Sequence, residues 1–269
     1  MKVHKKNVVL EDKEYAYDIL NKLRTGTRVF GSPGEGLRKT LRKLEENKPA
    51  KDSFDNITYN IDDGEWEEQV AKLKKGIKGE ETLGEYFEKV IRLDRKLSDI
   101  VVYASLGDED SGKDYIPDTD FLCVYGNNLL CVDAKNIRTN PDIPIFVSGN
   151  GIYSAINHDT PILEVSPQTH VWNKIIHEGM GTLTPSDLTV HGCVCIINKT
   201  GSFIHRDEEY MRSEIKPIHI SELVDFLHAW IKGKEPIFDL ELLTVIAKTQ
   251  IRQEKSSIDL TYGKRIFGV

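Results

Sequence analysis

Apolar residues recur at helical steps through the first third of the chain, and then the period changes. Over residues 11–24, EDKEYAYDILNKLR, the spacing of Tyr15, Ile19 and Leu23 predicts a helix with one apolar face. Gly31-Ser32-Pro33-Gly34 interrupts the pattern. It resumes in GLRKTLRKLEENK, where Leu37, Leu41 and Leu44 share a face with Arg38, Lys39, Arg42 and Lys43 beside them. Residues 48–63 have no period and read as a loop or a short extended piece. From 65 to 91, Val70, Leu73, Ile77, Leu83, Phe87 and Ile91 again recur at helical steps. Gly76, Gly79 and Gly84 lie inside that stretch, and each costs a helix about 1 kcal/mol relative to alanine. Either the helix begins near Gly79, or another part of the chain needs close approach to its backbone.

From residue 99 the runs shorten and fill with β-formers: DIVVYAS (99–105), DFLCVY (120–125) and LLCVDA (129–134). Gly126-Asn127-Asn128 between the last two predicts a hairpin. Ser148-Gly149-Asn150, between Ile145-Phe146-Val147 and Gly151-Ile152-Tyr153, predicts a second. Residues 166–178 read as a helix and GCVCIIN (192–198) as a buried strand. SELVDFLHAWIKG (221–233) reads as a helix capped by Ser221, with Leu223, Val224, Leu227 and Trp230 facing inward. The order predicts a mixed α/β fold. A core at residues 66–235 would carry a helical N-terminal extension, 1–65, and a C-terminal extension, 236–269.

Composition narrows the classes. With 269 residues and 39% hydrophobic content, the chain can bury a substantial core. No run of about 18 apolar residues is present, so no transmembrane helix or membrane partner is expected. The basic start MKVHKK lacks the apolar stretch of a secretory signal. Four cysteines are too few for a disulfide scaffold and point to reduced thiols in a cytoplasm. Cys193-x-Cys195, Cys123 and Cys131 sit on apolar strands and read as core packing, and His191, His205, His219 and His228 have no metal-ligand spacing. The net charge of −7 excludes a general basic coat, so nucleic-acid contact would need a local patch. Two candidates are Arg38 to Lys51 and the lysines at 72, 74, 75 and 78; residues 108–120 are by contrast strongly acidic. Gly31 to Gly36 lacks the lysine and hydroxyl residue of a phosphate-binding loop.

The segment that carries chemistry is DTDFLCVYGNNLLCVDAK, residues 118–135. Asp120 opens one apolar strand, a turn follows, and the next strand ends in Asp133-Ala134-Lys135. Antiparallel pairing brings the two carboxylates to one end of the sheet, and alternation puts Asp133 and Lys135 on one face. Apolar strands bear such charges at a cost unless they are paired or bind a metal. Two carboxylates, a backbone carbonyl such as that of Ala134, and waters are a fair Mg²⁺ set. Glu80 or Glu81 on the preceding helix can complete it.

Asp120 followed by Asp133-x-Lys135 resembles the PD-(D/E)XK nuclease superfamily. Gly76-x-x-Gly79-Glu80 before it, Val132-Asp-Ala-Lys-Asn136, and Ser166-Pro167-Gln168 after it resemble more narrowly the nuclease-related domain, NERD. The likeness covers about residues 76–200. The family places its glutamine three residues after the proline, a spot held here by His170. The resemblance implies a restriction-endonuclease-like core, a small mixed sheet flanked by helices. It implies Mg²⁺ or Mn²⁺ held by Asp120, Asp133, Glu80 and the Ala134 carbonyl. Lys135 would position the attacking water, and Gln168 would contact phosphate. The expected activity is phosphodiester hydrolysis in nucleic acid, DNA first, with the terminal extensions free to mediate a homodimer or to bind a partner protein. Two other readings stay open: a non-catalytic nucleic-acid-binding or interaction module of the same fold, and a small-molecule or structural protein in which the Asp…Asp-x-Lys pattern is incidental, an ordinary surface ion pair.

Overall fold

The structure, a computed structural model, describes residues 2–4, 13–46, 63–108, 116–136, 145–148, 151–154, 163–164, 168–197 and 215–249. The helical periods of the N-terminal third become α1 (Lys13–Arg24), α2 (Glu35–Glu46) and α3 (Asp63–Leu93). The loop expected over 48–63 lies almost wholly outside the described residues, as does the acidic run at 109–115. α3 runs unbroken through all three glycines. Each glycine admits a neighbour. A Cβ at Gly76 would stand 2.7 Å from the Leu37 side chain, and one at Gly79 would stand 2.8 Å from that of Asn136. One at Gly84 would collide with the Pro33 ring. The helix therefore accepts its propensity cost in exchange for contact.

β1 (Lys2–His4) runs parallel to a late strand, described below. The main sheet begins with β2 (Val29–Phe30), β3 (Val101–Asp108), β4 (Ile116–Tyr125) and β5 (Asn128–Lys135). β6 (Ile145–Ser148), β7 (Gly151–Ser154) and β8 (Leu163–Glu164) form a small antiparallel sheet, whose first two strands are the expected second hairpin. Then come α4 (Gln168–Met180), β9 (Thr189–Ile196), β10 (Ile215–His219), α5 (Leu223–Ile231) and β11 (Ile237–Asp239), the partner of β1. Residues 240–249 form a last helix. The main sheet is mixed and six-stranded, in the order β10-β9-β5-β4-β3-β2. β3, β4 and β5 are antiparallel in sequence, whereas β5, β9 and β10 run parallel.

Helices cover both faces of the sheet. On one face Leu83, Phe87 and Ile91 of α3 and Leu223, Leu227 and Trp230 of α5 pack on Val102, Phe121, Leu130 and Val132. On the other, Ile19 and Leu23 of α1, Trp172 and Ile176 of α4, and Leu242, Leu243 and Ile246 of the last helix pack on Tyr103, Leu122 and Leu129. Segments on both sides of the 66–235 stretch thus pack into the same core. All four cysteines are buried and free. The start of α5 differs from expectation: the helix continues from a 3-10 turn, Ile220–Glu222, which is capped by His219, whose side chain accepts from the Ser221 amide while Glu222 accepts from the His219 amide. The N-cap of α5 itself is Glu222, not Ser221, and makes no side-chain capping bond. Among the described residues no helix is long and apolar enough to cross a membrane.

Candidate functional site

Asp133 and Lys135 lie on β5, which has a partner strand on each side, so they are not an edge-strand pair. Lys135 Nζ stands 2.8 Å from Asp133 Oδ1. The two side chains retain 31% and 15% of their exposure, enough for a ligand to reach both. Asp120 stands one step beyond the Phe121–Val132 pair of the hairpin, beside Asp133. Its Oδ2 accepts a 2.7 Å hydrogen bond from the Ala134 amide. The hairpin thus fixes the first carboxylate against the backbone between the second and the lysine.

Glu80 comes from the middle of α3 and is 5% exposed. The Gly34 amide donates to its Oε2 at 2.9 Å. Gly34 has φ +80°, a conformation that glycine adopts without a steric cost. Glu81, the other acidic candidate, is exposed and ion-paired with Arg38 of α2. Glu80 is therefore the acidic residue of α3 that faces the strand pair. Asn136, the residue after Lys135, uses the space left by Gly79 and donates from Nδ2 to the Lys75 carbonyl at 2.9 Å. This contact locks the end of β5 to α3.

The electrostatics show how crowded the negative charge is. Burial first, then the charges of Asp133 and Glu80 and a hydrogen bond with Asp133, push the Asp120 carboxyl well above the ordinary carboxylate value; Lys135 opposes the shift. Burial alone would pull Lys135 down. Asp133, Asp120 and Glu80 together outweigh it and hold the ammonium above the ordinary lysine value. Asp133 and Glu80 thus both act on Asp120, and all three carboxylates act on one ammonium. Oxygen donors carrying excess negative charge suit a hard divalent cation in their chemistry. Among the described residues, however, no group of three or more His, Cys, Asp or Glu side chains is already arranged as metal ligands. One oxygen of each carboxylate is engaged by a protein group: Glu80 by the Gly34 amide, Asp120 by the Ala134 amide and Asp133 by Lys135.

Gln168 is the first residue of α4, but its side chain lies outside the described residues, and His170 is exposed. α4 is tied near the site by Trp172, whose Nε1 donates to Thr119 Oγ1 at 2.9 Å, next to Asp120. The basic residues of α2 are largely engaged by acids: Arg38 pairs with Glu35 and Glu81, and Arg42 with Glu35. Two participants escaped sequence reasoning. Gly34 belongs to a segment that reads as a plain loop, and Ser105, whose hydroxyl donates to the Ser32 carbonyl and accepts from the Glu35 amide on either side of Gly34, is the last residue of a strand run. The sequence offers only a turn signal for the first, the Pro33-Gly34 dipeptide. No family model matches the chain, nor does any curated protein or solved structure.

Proposed function

We propose that this protein is a metal-dependent nuclease that hydrolyses phosphodiester bonds in nucleic acid, with DNA the first substrate to test. The observation that carries the reading is the gathering of Glu80, Asp120 and Asp133 around Lys135 from one helix and two adjacent strands. The element order supports it: a helix, three antiparallel strands, a helix, and a strand parallel to the third, with the small β6–β8 sheet inserted before the second helix. That is the order expected of a restriction-endonuclease-like core carrying Asp…Asp-x-Lys on its second and third strands.

In this reading Asp120, Asp133, Glu80 and the Ala134 carbonyl would hold Mg²⁺ or Mn²⁺, which when bound would supply a water of lowered pKa and relieve charge on the phosphodiester. Lys135 stays protonated among the carboxylates and offers its ammonium to the attacking water or the scissile phosphate. Asp133 holds that ammonium in place through the 2.8 Å contact. Gly34 and Ala134 hold Glu80 and Asp120 through their amides, so the acidic side chains do not need to be ordered at the moment of reaction.

The test is incubation of wild type and Asp133→Ala with linear, circular and single-stranded DNA and with RNA, each in Mg²⁺, Mn²⁺ or EDTA. Cleavage by wild type alone, abolished by EDTA, is expected, and the cleaved substrate names the class. The second reading, a non-catalytic nucleic-acid-binding or protein-interaction module, is favoured by the carboxylate oxygens being turned to protein donors. It predicts salt-sensitive retention of nucleic acid, unchanged in Asp133→Ala, with no cleavage under any ion.

A further inference from the structure

We propose that Ser105 is a positioning residue that sets Glu80 against the Asp120–Asp133 pair through the turn at residues 32–35, an inference that rests on the ion-site reading above. Ser105 is 3% exposed and has φ +52°; among the described residues no other non-glycine residue has positive φ. Such a conformation persists in a serine only where its surroundings over-determine it, and outliers of this kind collect at functional sites.

The surroundings here are specific. Ser105 Oγ donates to the Ser32 carbonyl at 2.9 Å and accepts from the Glu35 amide at 3.2 Å. Between those two residues lie Pro33, seated against Gly84 of α3, and Gly34, whose amide holds Glu80. One hydroxyl therefore grips both ends of the turn whose middle holds a site carboxylate.

The strand irregularity places that hydroxyl beside the site. Ala104 pairs with Phe121 and Leu106 with Thr119, so Ser105 faces Asp120 across the sheet. Tyr103 and Leu106 both belong to the core on the α4 side, whereas Ala104 belongs to the α3 side. Simple alternation fails at Ser105. It fails on β4 too, because Phe121 packs on the α3 side while Thr119 reaches Trp172 on the other. Both strands change phase at the Ser105–Asp120 pair, and on β3 the change coincides with the left-handed backbone of Ser105.

The test measures amide hydrogen exchange at Gly34 without divalent ion, and Mn²⁺ affinity by calorimetry. Both are applied to wild type, Ser105→Ala, Ser105→Gly, Glu80→Ala and the Glu80→Ala/Ser105→Gly double variant. Ser105→Gly removes the hydroxyl while suiting the backbone, so it folds even if Ser105→Ala does not. Loss of the hydroxyl is expected to lower Gly34 protection by about tenfold. It is expected to weaken Mn²⁺ by about tenfold, as losing an outer hydrogen-bond partner of a metal site does. In the Glu80→Ala background, Ser105→Gly is expected to change Mn²⁺ affinity by less than about twofold, because both act through one group. Unchanged protection and affinity in both Ser105 variants would overturn the proposal and leave the ion site standing, and so would equal losses on Ser105→Gly in the wild-type and Glu80→Ala backgrounds. If wild type takes up no Mn²⁺, the ion-site reading falls. Gly34 protection then decides alone: its loss on Ser105→Gly keeps Ser105 as the anchor of the turn, and its retention overturns that too.

Discussion

At its turn, the β4–β5 hairpin is closed by side-chain hydrogen bonds, two between uncharged groups and one to a lone carboxylate. Asn128 Nδ2 donates to the Tyr125 carbonyl at 3.1 Å, Thr189 Oγ1 donates to Asn128 Oδ1 at 2.7 Å, and Asn127 Nδ2 donates to Asp187 at 2.8 Å. Side chains alternate between the two cores without interruption from Phe121 to Tyr125 on the inward strand. At the open end the same two strands carry Asp120, Asp133 and Lys135, and the alternation breaks. A sheet that needed only stability would have no reason to gather three interacting carboxylates, since partly buried like charges cost free energy. The turn end thus has an ordinary structural role, and the open end is where the proposed site lies.

The difference is most exposed to single substitutions at the open end. Asp133→Ala and Lys135→Ala are each expected to lower phosphodiester cleavage by about 10²–10³-fold, the scale of losing one preorganised electrostatic group. Circular dichroism should be unchanged, because both side chains keep some exposure. Retained cleavage in either variant would erase the distinction between the two ends.

Glycine substitutions sharpen it. Gly84→Ala forces a Cβ into Pro33 and should cost about 1–3 kcal/mol in urea unfolding, as overpacking does. Gly126→Ala at the turn meets the Glu235 carbonyl at φ +60° and should cost a similar amount. Mn²⁺ affinity should fall only for Gly84→Ala, because Pro33 leads into the turn that holds Glu80. Equal effects on the ion would contradict the division.

The ends should also differ in their response to pH. Burial, with Asp133 and Glu80, raises the native pKa of Asp120 above its unfolded value. The native state then binds that proton more tightly than the unfolded chain. The resulting stability is fully present below the unfolded value and is lost as pH rises through the native one. In EDTA, wild type should therefore lose stability relative to Asp120→Asn as pH rises from about 4, the unfolded carboxylate value. Parallel curves for the two proteins would show that Asp120 is not under such pressure.

The smallest effect is expected near the turn end, where α3 stops. There His228 Nε2 lies 2.7 Å from Asp94 Oδ2. The Lys96 amide first, and His228 less so, hold Asp94 below its ordinary value, so its contribution is present above the unfolded carboxylate pKa and lost as pH falls. His228→Ala should cost under about 1 kcal/mol in denaturant unfolding, the range of exposed ion pairs. It should leave cleavage untouched.

Much of this was legible in the chain. Local period alone places α3, the β3–β4–β5 strands and α4. The Asp120…Asp133-x-Lys135 spacing puts three of the site's charges at one end of a hairpin. The glycines of α3 announced either a late start or a close approach, and the packing of Leu37, Asn136 and Pro33 supplies the approach. What stayed hidden depends on partners distant in sequence. Nothing local to Gly34 tells that its amide meets Glu80, 46 residues later. Nothing in Ser105 announces a left-handed backbone, because its hydroxyl is satisfied by residues 32 and 35. The helix at 240–249 enters the core through Leu242, Leu243 and Ile246, although its distance in sequence from the strands it covers suggests an appendage.

The central claim is that the open end of the hairpin is a divalent-cation site. Paramagnetic resonance of free Mn²⁺, titrated against wild type and Asp133→Ala, tests it most directly. The account predicts saturable uptake by wild type that is lost in a variant of unchanged circular dichroism. Identical uptake by the two proteins, or none by wild type, would contradict it.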